Sequence, residues 1–150
     1  MYCTIKEVTD MIKPDAINSV IGEGYIEDEA IKVEKFEPIA RLAIEDADSE
    51  INGYLAKRYP TPLSSTPGII NKLSKDIAIY NIFSRSGIDE GERESNYLTR
   101  YKNAIKYLEN VAKGIVDIEA SSPSAPATSS GFVKISSNKK LFGRNSLEGM

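Results

Sequence analysis

The sequence predicts an all-α fold: a small helical bundle of two short and three longer helices, followed by an extended C-terminal arm. Three observations carry that reading. Apolar residues recur at three- and four-residue spacing through three long stretches, near residues 38–59, 67–85 and 92–112. Capping and stop signals mark helix ends, such as Thr4 with Glu7 before a short leading helix and Gly114 after the last long one. Past Gly114 the periodicity ends, and a spacer of Ala, Ser, Pro and Thr takes over.

Thr4-Ile5-Lys6-Glu7 has the form of a capping box and opens a short helix to about Ile12. Pro14 suits the first position of a second short helix that runs to Val20-Ile21, where Gly22 and Gly24 break it. Tyr25 to Phe36 reads as a small strand or an extended loop, because an acidic patch precedes the alternating Ala30-Ile31-Lys32-Val33-Glu34-Lys35-Phe36. From Pro38 to about Tyr59, Leu42, Ile44, Ala47, Ile51, Tyr54 and Leu55 form a helical stripe. Gly53 lies inside that helix, costs about 1 kcal/mol against Ala, and is expected to admit another helix at close range. Tyr59-Pro60 ends the helix, since the residue before proline is pushed out of the α region.

Thr66 as N-cap and Pro67 in the first turn restart helix, with Ile70, Leu73, Ile77, Tyr80, Ile82 and Phe83 as the buried stripe and Gly87 as the stop. The last helix runs from about Glu92, with Tyr97, Tyr101, Ala104, Ile105, Leu108 and Val111 on one face and Gly114 as C-cap. The expected organisation is therefore a helical body over 1–119, a flexible Ser/Pro/Ala linker over 120–131, and a docking arm over 132–150. The arm mixes apolar Phe132, Val133, Ile135, Leu141, Phe142 and Leu147 with cationic Lys139, Lys140 and Arg144. These nine are the candidate partner-binding residues, because such side chains need a surface to bury them.

Composition narrows the function classes. With 150 residues the chain is sized for one domain with a real core. The absence of histidine removes Ser-His-Asp and Cys-His nucleophile systems and the usual transition-metal ligand. A single cysteine, Cys3, leaves no intramolecular disulfide or cysteine-based zinc site and reads as a small, semi-buried apolar residue. The start of the chain does not read as a secretory signal, and no apolar run nears the ~20 residues of a membrane helix. Cytosolic synthesis is expected. Residues 1–131 carry 15 Lys/Arg against 21 Asp/Glu, a net of −6, whereas 132–150 carry four against one, a net of +3. An acidic body argues against coating nucleic acid, and a basic tail on it can reach an acidic neighbour, another copy included.

The remaining motifs carry no chemistry. Asp46 to Gly53 fails as a calcium loop, because loop positions six and twelve are Ile51 and Lys57 rather than Gly and Glu. Tyr97 and Tyr101 read as packing residues, with a base-stacking platform beside Arg100, Lys102 and Lys106 as the lesser possibility. Lys57-Arg58 complements a helix C-terminus. No phosphate loop, zinc pattern or nucleophile elbow occurs, so no catalytic, cofactor or metal residues are assigned.

The stretch from Ala43-Ile44-Glu45-Asp46-Ala47-Asp48 through Tyr54-Leu55-Ala56-Lys57-Arg58-Tyr59-Pro60, with Pro62-Leu63 after it, resembles a family of small proteins of Mu-like phages and prophages. Met1-Tyr2-Cys3-Thr4, Asp76-Ile77-Ala78-Ile79-Tyr80, Arg100 to Leu108 and Leu141 to Leu147 add to the likeness. The segment Glu27 to Glu34 is more acidic than the family pattern. These proteins in turn resemble the head-tail adaptors, or connectors, of long-tailed phages. The resemblance implies a non-enzymatic, cofactor-free virion protein of the neck. It would form a ring, usually dodecameric, between the portal and a tail-side neck or terminator protein, and dock through its C-terminal arm. DNA would pass through the channel without specific binding, which an acidic lining favours. Assembly would take place in the host cytoplasm, away from any membrane. The alternatives are a small helical DNA-binding or regulatory phage protein with a basic tail, and a carboxylate-dependent hydrolase.

Overall fold

In a computed structural model, the structure describes residues 1–22, 24–85 and 92–119. Five helices occur among them: α1 (Ile5–Thr9), α2 (Pro14–Ile21), α3 (Glu29–Leu55), α4 (Gly68–Ser84) and α5 (Glu92–Ala112), with no strand. The fold is a small all-α bundle. α3, α4 and α5 pack on one another, and α1 and α2 cover the amino-terminal half of α3.

The predicted punctuation is present at both ends. Thr4 Oγ1 accepts from the Glu7 N–H at 3.3 Å, and Glu7 Oε2 accepts from the Thr4 N–H at 2.8 Å, closing the capping box of α1. Pro14 opens α2, and Gly22, in the left-handed region at φ 75°, ends it. Gly114 ends α5 at φ 78°, with its N–H bonded to the Val111 carbonyl and that of Ile115 to the Asn110 carbonyl.

Of the strand or loop expected over 25–36, residues 25–28 are chain without regular structure, while 29–36 form the first two turns of α3. Asp28 caps them, accepting from the Ala30 N–H at 2.8 Å. Strict alternation would have placed Ile31 and Val33 inside, yet these are exposed, and Lys32 and Phe36, four apart, are buried. Packing beneath α1 and α2 selected the helical period over the two-residue one. Pro38 consequently sits within α3 rather than at its start. It is exposed, so the Glu34 carbonyl that loses its partner there can turn to water.

The core is one cluster. Ile44, Ile51, Leu55, Ile70, Ile77, Ile79, Ile82, Leu108 and Val111 lose essentially all solvent contact, and Leu73 retains 3%. Of the expected stripe residues, Leu42 is exposed and Ala43 takes its place inside, while Ile105 is only partly buried. Thr66 does not cap α4. Pro67 occupies the N-cap position and Gly68 opens the helix, one residue later than the pattern predicted. Past Gly114, Ile118 is buried and Val116 packs on the core, so the body's apolar cluster extends beyond the last helix.

Gly53 faces open space: a Cβ placed there would meet nothing within 4 Å. No helix approaches it among the described residues, contrary to expectation. Gly53→Ala should therefore raise stability by about 0.5–1 kcal/mol in denaturant titration, and Gly114→Ala, at positive φ, should lower it. In the core, Leu73→Ala or Leu108→Ala should cost roughly 2–5 kcal/mol. A change under about half a kcal/mol at both would contradict their burial.

Candidate interaction site

The segment of α3 that carries the family resemblance holds the polar side chains that tie the chain together. Asp48 accepts from the Tyr2 N–H through Oδ1 at 3.1 Å and Oδ2 at 3.2 Å. The Ser74 hydroxyl on α4 lies 3.2 Å from Asp48 Oδ1 and 3.2 Å from Cys3 Sγ, so it can donate to the carboxylate while accepting from the thiol. Burial pushes the Cys3 thiol above its ordinary pKa, which keeps it protonated and inert at neutral pH. Tyr2 Oη donates to Asn52 Oδ1, one turn on from Asp48, and accepts from the Leu63 N–H at 3.0 Å. The Tyr2 carbonyl accepts from Asn71 Nδ2 at 3.0 Å. The same amide, after the Thr4 N–H and hydroxyl, helps hold the Glu7 carboxyl below the usual range.

Arg58 and Tyr59 do the same for the other end of the body. Arg58 donates to the Val111 carbonyl at 3.0 Å and to Asp117 Oδ1 at 2.8 Å, and Tyr59 Oη accepts from the Ile118 N–H at 3.2 Å. Arg58 does complement a helix C-terminus, but that of α5 rather than of its own helix. No local pattern in the sequence could have shown this, because Arg58 and Val111 meet only in the folded chain.

Between α4 and α5 lies a third polar contact. Asp76, almost wholly buried, accepts from Arg100 of α5 and, at 3.1 Å, from Lys72 of its own helix. Beside it Tyr80 stacks on Tyr101 with centroids 4.1 Å apart, and Phe83 stacks on Tyr97 at 4.6 Å. These tyrosines thus pack between helices, as expected. Tyr101, however, donates to Glu50 Oε1 at 3.0 Å rather than reaching water. Burial first, then the Glu50 carboxylate, push the Tyr101 phenol from 10.0 up to about 12.

An apolar surface lies open at the amino-terminal end of α3. A cavity of about 390 Å³ lies where α1 and α2 cross the start of α3, floored by Ile5, Ile17, Val33 and Phe36. Asp10, Glu29 and Glu37 supply carboxylates to its wall, and the buried Lys32 ammonium bonds Glu29 at 2.7 Å. That bond holds Lys32 above its ordinary pKa. A strand or loop over 25–36 would not form this groove, whose α3 wall exists only because residues 29–37 are helical. The nine arm residues, Phe132, Val133, Ile135, Lys139, Lys140, Leu141, Phe142, Arg144 and Leu147, lie outside the described residues, as does the linker.

A small α-helical bundle whose polar groups tie Tyr2 and residues 117 and 118 to α3 and the loop after it is the class of protein this geometry defines. The chain belongs to the Bacteriophage Mu, Gp36 family, whose model matches residues 2–136. It is 28% identical over 107 residues to "Mu-like prophage FluMu protein gp36" of Haemophilus influenzae, covering 71% of this chain and 72% of that one. It is also 25% identical over 108 residues to "Gene product J" of Escherichia phage Mu, with the same 71% and 72% coverage.

The raised Tyr101 pKa fixes a sign. Folding favours the neutral phenol, so its contribution is complete below pH 10 and is lost as pH rises through about 12. In a tyrosinate absorbance titration Tyr101 should ionise late, and Tyr101→Phe should flatten the stability loss across that window. An unchanged alkaline profile would mean that Glu50 does not hold the phenol.

Proposed function

We propose that this phage protein is a structural subunit of the head-tail connector: a ring, of which this chain is one copy, seated between the portal and a tail-side neck protein and joined through its C-terminal arm. It acts by assembly and not by catalysis. The observation that carries the reading is how the body is closed off. Asp48, Asp76, Arg58 and Glu50 each bind the protein's own chain. What the sequence offers to a partner is the apolar and cationic run from Phe132 to Leu147.

Arg58 and Tyr59 add support, because they bind residues 117 and 118 to the end of α3 and so give whatever follows a fixed point of departure. A subunit with a donor segment and a separate acceptor surface makes a heterologous interface, and such interfaces close into rings when the rotation allows. The arm's apolar side chains would be worth about 1.5–3 kcal/mol each on burial. Its cations would act mainly on orientation and association rate.

Deleting residues 132–150 in a phage that carries this protein should leave the helical circular dichroism of the purified chain intact. Particles should accumulate as filled heads and separate tails. Normal infectious particles from the deletion would overturn this function. Salt-sensitive retention of DNA by the purified protein would favour the DNA-binding alternative instead.

A further inference from the structure

The groove under α1 and α2 and the point where the chain leaves the body sit at opposite ends of α3. At about 1.5 Å per residue, roughly 33 Å of helix separate Val33 from Leu55. Residues 117 and 118 are bound at the Leu55 end, by Arg58 and Tyr59. Twelve residues, 120–131, then precede Phe132. Twelve residues span at most about 40 Å when fully drawn out. Phe132 could reach its own groove only with the tether nearly taut. The groove of a copy placed end to end lies close to the point of departure.

Groove and arm also match in chemistry. The groove's volume of about 390 Å³ suits a few apolar side chains, and Val33 on its floor is 56% exposed. Its carboxylates are open to a new partner. Asp10 has no side-chain partner among the described residues, and Glu37 is held only by Arg41 in an exposed pair. The arm offers Leu141-Phe142 between Lys139-Lys140 and Arg144, apolar residues flanked by cations. Lys6 and Lys32 also line the groove, and Lys32 is occupied by Glu29, so Asp10 and Glu37 are the carboxylates offered to an incoming cation.

We propose that this groove receives the segment from Phe132 to Arg144 of a second copy of the chain, linking copies head to tail. The proposal deepens the assembly reading and rests on it for the presence of neighbouring copies, but not for the identity of the proteins above and below them. Donor and acceptor at opposite ends of α3 give each copy one of each, the condition for a heterologous ring or filament. Once one contact of the interface has formed, the tethered segment meets its groove at high effective concentration.

The test uses the full chain in two forms, Val33→Cys with an affinity tag and Phe142→Cys without one, mixed and treated with a short bismaleimide. Cys3 is buried and stays silent. A covalent pair between the two forms should appear at a yield at least about tenfold above Phe142→Cys mixed with Lys57→Cys at the far end of α3. Val33 is exposed, so Val33→Glu should keep the helical signal while weakening self-association about tenfold or more by like charge at the acceptor. Glu37→Lys should weaken it likewise, and Lys140→Glu on the partner should restore it. A link that forms only within a single doubly substituted chain would overturn the proposal, as would equal yields at Val33 and Lys57. Assembled chains seen by sedimentation with no Val33–Phe142 link would overturn this groove assignment while leaving the connector reading intact. Normal particles from the arm deletion would overturn both the groove assignment and the connector reading.

Discussion

Asp48 is the constraint on which the arrangement of the body depends. Its two oxygens hold the Tyr2 N–H from one side and the Ser74 hydroxyl from the other, so one carboxylate joins the amino-terminal segment, α3 and α4. Hydrogen bonds to a charged group contribute about 1.5–3 kcal/mol, more than a neutral contact, and this one is partly shielded from water. Once Tyr2 is held, its hydroxyl reaches Asn52 and the Leu63 backbone, and its carbonyl reaches Asn71. The loop after α3 and the start of α4 are thereby placed. The capping box of α1 follows two residues later, which sets where α1 lies on α3.

The other end of α3 works by the same physics with opposite charge. Arg58 brings a cation to the carboxy-terminal carbonyls of α5, where the helix dipole is negative, and pairs with Asp117. A guanidinium suits this place because its fork of donors serves a backbone carbonyl and a carboxylate together. Gly114 lies against it, with the position of its absent Cβ 3.5 Å from the guanidinium carbon. The turn and the cation therefore fit as a unit. Between α4 and α5, the buried Asp76 with Arg100 specifies register, since leaving either partner alone in that environment would be costly. The stacked aromatic pairs beside it supply area and fix the crossing.

These contacts give the family's most recognisable stretch a physical meaning. Asp48 and Asn52 fasten Tyr2, and Arg58 and Tyr59 fasten residues 117 and 118, to α3 and the loop after it. Internal polar ties of this kind hold the helices of the body in one arrangement.

Local chemistry explains what was readable in advance. The capping box at Thr4, Pro14 at the head of α2, the left-handed glycines at 22 and 114, and the three-four spacing of Ile44, Ile51, Ile77 and Leu108 each state their structure within a few residues. Helix number, helix order and most of the core follow from them, as do the missing histidine and lone cysteine that narrow the chemistry. Tertiary packing decided the rest. Residues 29–36 are helical because Lys32 and Phe36 bury beneath α1 and α2, which only the assembled fold can supply. Leu42 is outside and Ala43 inside because the neighbour of α3 lies a fraction of a turn from the apolar maximum. The Tyr2–Asp48 tie and the Arg58 clamp join residues 46 to 59 positions apart, and no local pattern in a single sequence encodes such pairings.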